Sequence, residues 1–121
     1  MIKKILIVED NEVDRKLMLR ALISAGYAND IYVADSGEKG VERFKDNKPD
    51  VVVLDTVLPG MDGFETCKRI KDIDQNANII ILTGEMGALN REKAKEAGAN
   101  EYIAKGLNYA ALKDVFCKIN Q

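Results

Sequence analysis

The chain has 121 residues, 46% apolar and 31% charged, the size and make-up of one globular domain with enough apolar material for a core. A formal net charge of -2 supplies no electrostatic footprint for nucleic acid or an anionic membrane, and no apolar run approaches a membrane span. With no histidine, Ser-His-Asp and Cys-His catalysis and His-ligated zinc are excluded, and Cys67 and Cys117 lack metal-ligand spacing and read as core thiols in a reducing cytoplasm.

Taken in order, Ile5-Leu6-Ile7-Val8 is apolar at every position, as in a strand buried on both faces. It meets Glu9-Asp10-Asn11 at once, which makes the apolar stretch too short for a signal peptide. A helix follows to about Ala25, with Val13, Leu17, Met18, Ala21 and Leu22 inward and Glu12, Asp14, Arg15 and Lys16 on the solvated face, and Gly26 stops it. Ile31-Tyr32-Val33-Ala34 is a short strand, and Ser36 caps a helix that presents Val41 and Phe44.

Val51-Val52-Val53-Leu54 is the central strand and runs straight into Asp55. Burying a carboxylate inside such a strand is costly, so Asp55 belongs where the strand ends and water begins. Pro59, Gly60 and Gly63 turn the chain, and Asp62 with Glu65 forms a capping pair for a helix to about Lys71, with Phe64, Cys67 and Ile70 inward. Ile79-Ile80-Ile81-Leu82 is a further buried strand ending in Thr83-Gly84-Glu85. A thinner apolar stripe (Met86, Leu89, Ala94, Ala97) makes a weaker helix that Gly98 ends. Glu101-Tyr102-Ile103-Ala104 is the last strand, ending at Lys105-Gly106, and Asn108 caps a final helix with Leu112, Val115, Phe116 and Ile119 inward.

Five strands alternating with five helices predict one α/β domain over residues 1–121, a flavodoxin-like doubly wound parallel sheet in order 2-1-3-4-5. Parallel strands bring Glu9-Asp10, Asp55, Thr83 and Lys105 to one edge. Three crowded carboxylates repel each other. A hard divalent cation resolves the repulsion, and Mg2+ suits oxygen ligands that leave room for water and phosphate. Lys105 and Thr83 remain for an anionic group.

On these five separated positions, on the Leu58-Pro59-Gly60-Met61-Asp62-Gly63 turn and on the Ala97-Gly98-Ala99 step, the sequence resembles the receiver domain of two-component response regulators across its whole length. The form it resembles is the stand-alone, chemotaxis-regulator-like one. The resemblance implies that Asp55 accepts a phosphoryl group from the phosphohistidine of a histidine kinase or phosphotransfer protein. It implies Mg2+ held by Glu9, Asp10, Asp55 and the backbone carbonyl of Val57. Thr83 then bonds the phosphoryl oxygens, Lys105 pairs with them, and Tyr102 reports the position of Thr83. Val57 and Glu85, two residues past Asp55 and Thr83, border the line of water attack and tune dephosphorylation. Such a chain is a cytoplasmic signalling switch, not a turnover enzyme. It is a monomer that can dimerise on phosphorylation and signals by protein–protein contact.

Two departures from the family pattern stand out: Gly84 replaces the alanine that often follows the hydroxyl residue, and Lys105-Gly106 replaces Lys-Pro. A non-proline cis bond costs about 2.5–4 kcal/mol, so the Lys105–Gly106 bond is expected to be trans, with Gly106 absorbing the change in direction. Three other readings compete. A flavodoxin-type electron carrier needs a hydroxyl- and glycine-rich loop after strand one, where this chain has acids. An aspartyl phosphatase needs a second acid two residues past the nucleophile, where this chain has Val57. A degenerate receiver, acting only as an interaction module, would not need the intact acids, Thr83 and Lys105.

Overall fold

The computed structural model describes residues 2–27, 30–84, 88–106 and 109–119, with backbone alone for residues 88 and 89. Among the described residues the elements are β1 (Lys4–Val8), α1 (Glu12–Ser24), β2 (Asp30–Ala34), α2 (Gly37–Asn47), β3 (Val51–Asp55), α3 (Gly63–Ile73), β4 (Ile79–Thr83), α4 (Ala88–Ala97), β5 (Glu101–Ala104) and α5 (Ala110–Ile119). The strands form one parallel sheet in the order β2-β1-β3-β4-β5, the expected flavodoxin-like topology. The central position of β3 follows from its composition: all five of its residues are buried, as are all five of β4. Such strands can only lie inside a sheet covered on both faces.

Side chains alternate across the sheet and feed two cores. Ile5, Ile7, Val51, Val53, Ile80 and Leu82 pack against Met18, Leu22, Leu112 and Phe116 of α1 and α5. Leu6, Val8, Val52, Leu54, Ile79 and Ile81 pack against Phe44, Cys67, Ile70, Ala94 and Ala97 of α2, α3 and α4. Ser36 and Asp62 cap α2 and α3 as expected, and Asn11 also caps α1: each accepts a hydrogen bond from the backbone N–H three residues on. Asn108, expected to cap α5, lies outside the described residues, as does Met86.

Three expectations fail. Val13 and Leu17 are not inward but 65% and 42% exposed, because the buried stripe of α1 is only Met18, Ala21 and Leu22. Cys117 is exposed, not a core thiol, since α5 turns Leu112, Val115 and Phe116 to the sheet and leaves the next residue outside. Asp14 and Arg15 are not merely solvated: Arg15 donates to the Glu9 carbonyl after β1, and the Asp14 carboxylate accepts from Lys105 after β5.

Candidate phosphoryl and metal site

The site is the C-terminal edge of the sheet at β1, β3, β4 and β5. Register sets it: Val8 pairs with Leu54, Asp55 with Leu82 and Thr83 with Ala104. The strand ends are tied by backbone bonds beyond the ladders. Thr56 N–H donates to Leu82 O at 3.2 Å and Lys105 N–H to Thr83 O at 2.9 Å. Asp55 is the last residue of β3 and Thr83 the last of β4, both nearly buried. Glu9 follows β1 and is fully buried, Asp10 is exposed, and Lys105 follows β5.

The loop from β3 to α3 turns directly after Asp55, which stays buried. Gly60 takes φ +70°, a left-handed conformation that favours glycine. Its neighbour Met61 donates its N–H to Glu38 Oε1 on α2 at 3.0 Å. Gly63 N–H donates to Thr56 O at 3.1 Å. At the other side, Lys105–Gly106 has a trans bond and Gly106 takes φ +60°, as the energetic argument expects.

Oxygen atoms of Glu9, Asp10 and Asp55 lie within 4.8 Å of one another. The Lys105 ammonium stands among the acids, 3.0 Å from Glu9 Oε1, 3.2 Å from Asp14 Oδ2 and 3.4 Å from Asp55 Oδ1. Burial pushes the Glu9 carboxyl up to about 7, opposed by the hydrogen bond from Lys105 and reinforced by the charge of Asp55. Burial alone would lower the Lys105 pKa, but Glu9, Asp55 and Asp14 together hold it above its ordinary value. One ammonium thus serves three carboxylates, and the cluster is short of positive charge. Hard oxygen donors this close, with Asp10 open to water, fit a divalent cation of the Mg2+ kind.

Tyr102 lies mid-strand in β5, half-buried, with the Arg91 guanidinium of α4 5.8 Å from its ring centre. Val57 is 74% exposed in the loop after β3, two residues past Asp55. Glu85 lies outside the described residues. Sequence reading missed the place of Asp14, Arg15 and Tyr109 at the site. Asp14 joins Lys105, and Arg15 Nη1 donates to the Glu9 carbonyl at 3.0 Å. Tyr109 is buried next to the cluster with φ +53°. For Asp14 the available signal was its position one helical turn past Asp10, on the first turn of a helix that starts at the site.

Residues 5–116 match the response regulator receiver domain family. This chain belongs to that family. The receiver is a phosphorylation-dependent signalling module of two-component systems, and nothing in the site favours the degenerate form. The chain is 37% identical over 101 residues to the transcriptional regulatory protein AfsQ1 of Streptomyces coelicolor, covering 84% of this chain and 44% of that protein. The receiver therefore spans under half the length of that curated relative. Among solved structures it is similar to a LuxR-family two-component response regulator from Aurantimonas sp. (TM-score 0.91, 28% identity, 98% of this chain and 85% of that one). It is also similar to a chain of the CheX-CheY-BeF3-Mg+2 complex from Borrelia burgdorferi (TM-score 0.88, 26% identity, 98% of this chain and 90% of that one).

Proposed function

We propose that Asp55 is the phosphoryl acceptor of this receiver and that Glu9, Asp10 and Asp55, with the Val57 carbonyl, hold Mg2+. The observation that carries the reading is the meeting of Asp55 with two further acids and one ammonium at the open end of the sheet. A carboxylate oxygen of Asp55 attacks phosphorus in line. The P–N bond of a phosphohistidine breaks, its electron pair stays on the imidazole, and an acyl phosphate forms on Asp55. Positioning and charge neutralisation are most of what such a transfer asks of a protein. Lys105 supplies a fixed positive charge and N–H donors to the phosphoryl oxygens, and Thr83 a hydroxyl. Bound Mg2+ would neutralise further oxygen charge and relieve the crowding of the three acids.

Water then attacks the acyl phosphate, releasing inorganic phosphate and restoring the carboxylate. The chain acts on itself and is not a turnover enzyme. Phosphorylation draws Thr83 inward, opens space for Tyr102 and so biases a two-state surface at α4, β5 and α5. The donor is a histidine kinase or phosphotransfer protein in the cytoplasm. Residues 1–121 pass the signal on by protein contact and do not themselves bind nucleic acid or membrane. In the relatives of about twice the length, a transcriptional output accompanies the receiver; here we propose the receiver alone as the switching unit, monomeric before phosphorylation.

The test is labelling with acetyl phosphate and Mg2+, read by intact-protein mass. The parent should gain one phosphoryl group, with acetate leaving, and Asp55→Asn should gain none, because an amide is no nucleophile here. Equal incorporation in the mutant would overturn the assignment.

A further inference from the structure

A lysine ammonium has three N–H donors and no acceptor. Those of Lys105 are committed in a specific way. Hydrogen bonds go to Glu9 Oε1 at 3.0 Å and Asp14 Oδ2 at 3.2 Å, while Asp55 Oδ1 stands further off at 3.4 Å as an ion-pair partner. Glu9 belongs to the acidic cluster and holds the ammonium from within the site. Asp14 does not: it lies on the opening turn of α1 and is not one of the three clustered acids Glu9, Asp10 and Asp55.

Asp14 is held where it stands. Asn11 Oδ1 accepts from the Asp14 N–H at 2.9 Å, which anchors the first turn of α1 directly after the Glu9-Asp10 step. The side chain is 35% exposed against 19% for Lys105, so the pair is partly shielded from solvent. It differs in this from the neighbouring Lys16–Glu12 pair, where both side chains are about two-thirds exposed or more. Exposed pairs of that kind contribute little, whereas a partly buried charge pair is screened less.

We propose that Asp14 is a positioning residue for Lys105: it competes with the incoming phosphoryl group for the ammonium and so sets the rate of phosphorylation. The inference rests on the reading of Asp55 as the acceptor. Before transfer, Glu9 and Asp14 take two of the three N–H donors, so the donor's phosphoryl oxygens can gain more than one of them only by replacing a hydrogen bond the ammonium already makes. Removing the Asp14 charge therefore favours the Lys105–phosphoryl contact in the transfer.

Asp14→Asn keeps the shape and the cap while removing the charge. It should raise the rate of labelling from acetyl phosphate several-fold. Asp14→Glu should stay near the parent, since a carboxylate is retained. Loss of one negative charge could also act by weaker repulsion of the anionic donor, and two controls separate the causes. Glu12→Gln removes an equal charge from the same turn and should leave the rate unchanged. In a Lys105→Ala background, Asp14→Asn should have no effect, because the residue through which it acts is gone; a double-mutant cycle reads this directly. Equal acceleration with and without Lys105, or none in the parent background, overturns the proposal. Failure of the parent to take label at all would instead overturn the acceptor assignment, so the two failures are distinguishable.

Discussion

The α-carbon of Gly63 lies against the backbone carbonyl of Asp55, with no room between them for a β-carbon. The first turn of α3 is thereby packed directly on the residue that carries the site. The contact is backbone to backbone, so no side chain can rotate away. Gly63→Ala must push α3 off β3 or shift the Asp55 peptide. Overpacking typically costs about 1–3 kcal/mol, and a backbone collision belongs at the upper end. We expect a Tm lower by roughly 5–10 °C in a thermal melt, together with slower labelling of Asp55. A mutant with parental Tm and rate would show that the loop absorbs the methyl group.

Asp50 provides the pH dependence. Its carboxylate accepts the N–H groups of Lys3 and Lys4 at 2.8 and 2.9 Å, tying the entry of β3 to the start of β1. The backbone N–H of Lys4 is the largest influence holding its pKa below the ordinary 3.8. A depressed carboxylate pKa means that the unfolded chain binds the proton more readily. This contribution is therefore full above about pH 4 and is lost as pH falls through the lower folded value. Asp50→Asn should cost about 1 kcal/mol at neutral pH, the carboxylate being largely solvated. The difference between mutant and parent in urea melts should shrink below pH 4. A gap that persists at pH 2.5 would place its cause elsewhere.

Val57 is mostly exposed two residues past Asp55, where an apolar side chain cannot orient water. Val57→Asn places an amide at the mouth of the site. The acyl phosphate should decay faster by several-fold, measured by loss of label after the donor is removed. Decay equal to or slower than the parent's would count against a tuning role for this position.

Oxygens of Glu9, Asp10 and Asp55 crowd within 4.8 Å of one another, so a divalent cation should stabilise the folded chain. Binding to the native state alone raises stability by about 2.7 kcal/mol at a hundredfold excess over Kd. Mg2+ should therefore raise the parent's Tm, and EDTA should lower it again. Asp10→Asn, at the water-facing corner of the cluster, should lose most of that response while retaining its fold. A full Mg2+ response in this mutant would remove Asp10 from the ligand set.

Much of the molecule was legible in the residues alone. Runs such as Val51–Leu54 and Ile79–Leu82 admit only a doubly covered parallel strand, and with the alternating helices they determined the strand order. The acids, hydroxyl and lysine at the strand ends followed, because parallel strands share one edge. The cap residues Ser36 and Asp62 were legible because capping is local chemistry. The trans Lys105–Gly106 bond followed from the intrinsic cost of cis. Tertiary structure alone decided which side chain the Lys105 ammonium meets, since its reach spans three elements and Asp14 sits 91 residues away in sequence. It decided that Val13, Leu17 and Cys117 face outward, because the width of a buried helical stripe depends on how close the sheet lies. It also decided that Gly63 cannot carry a side chain: the turn chemistry of this glycine reads from sequence, but the Asp55 carbonyl arrives beneath it only when α3 docks on β3.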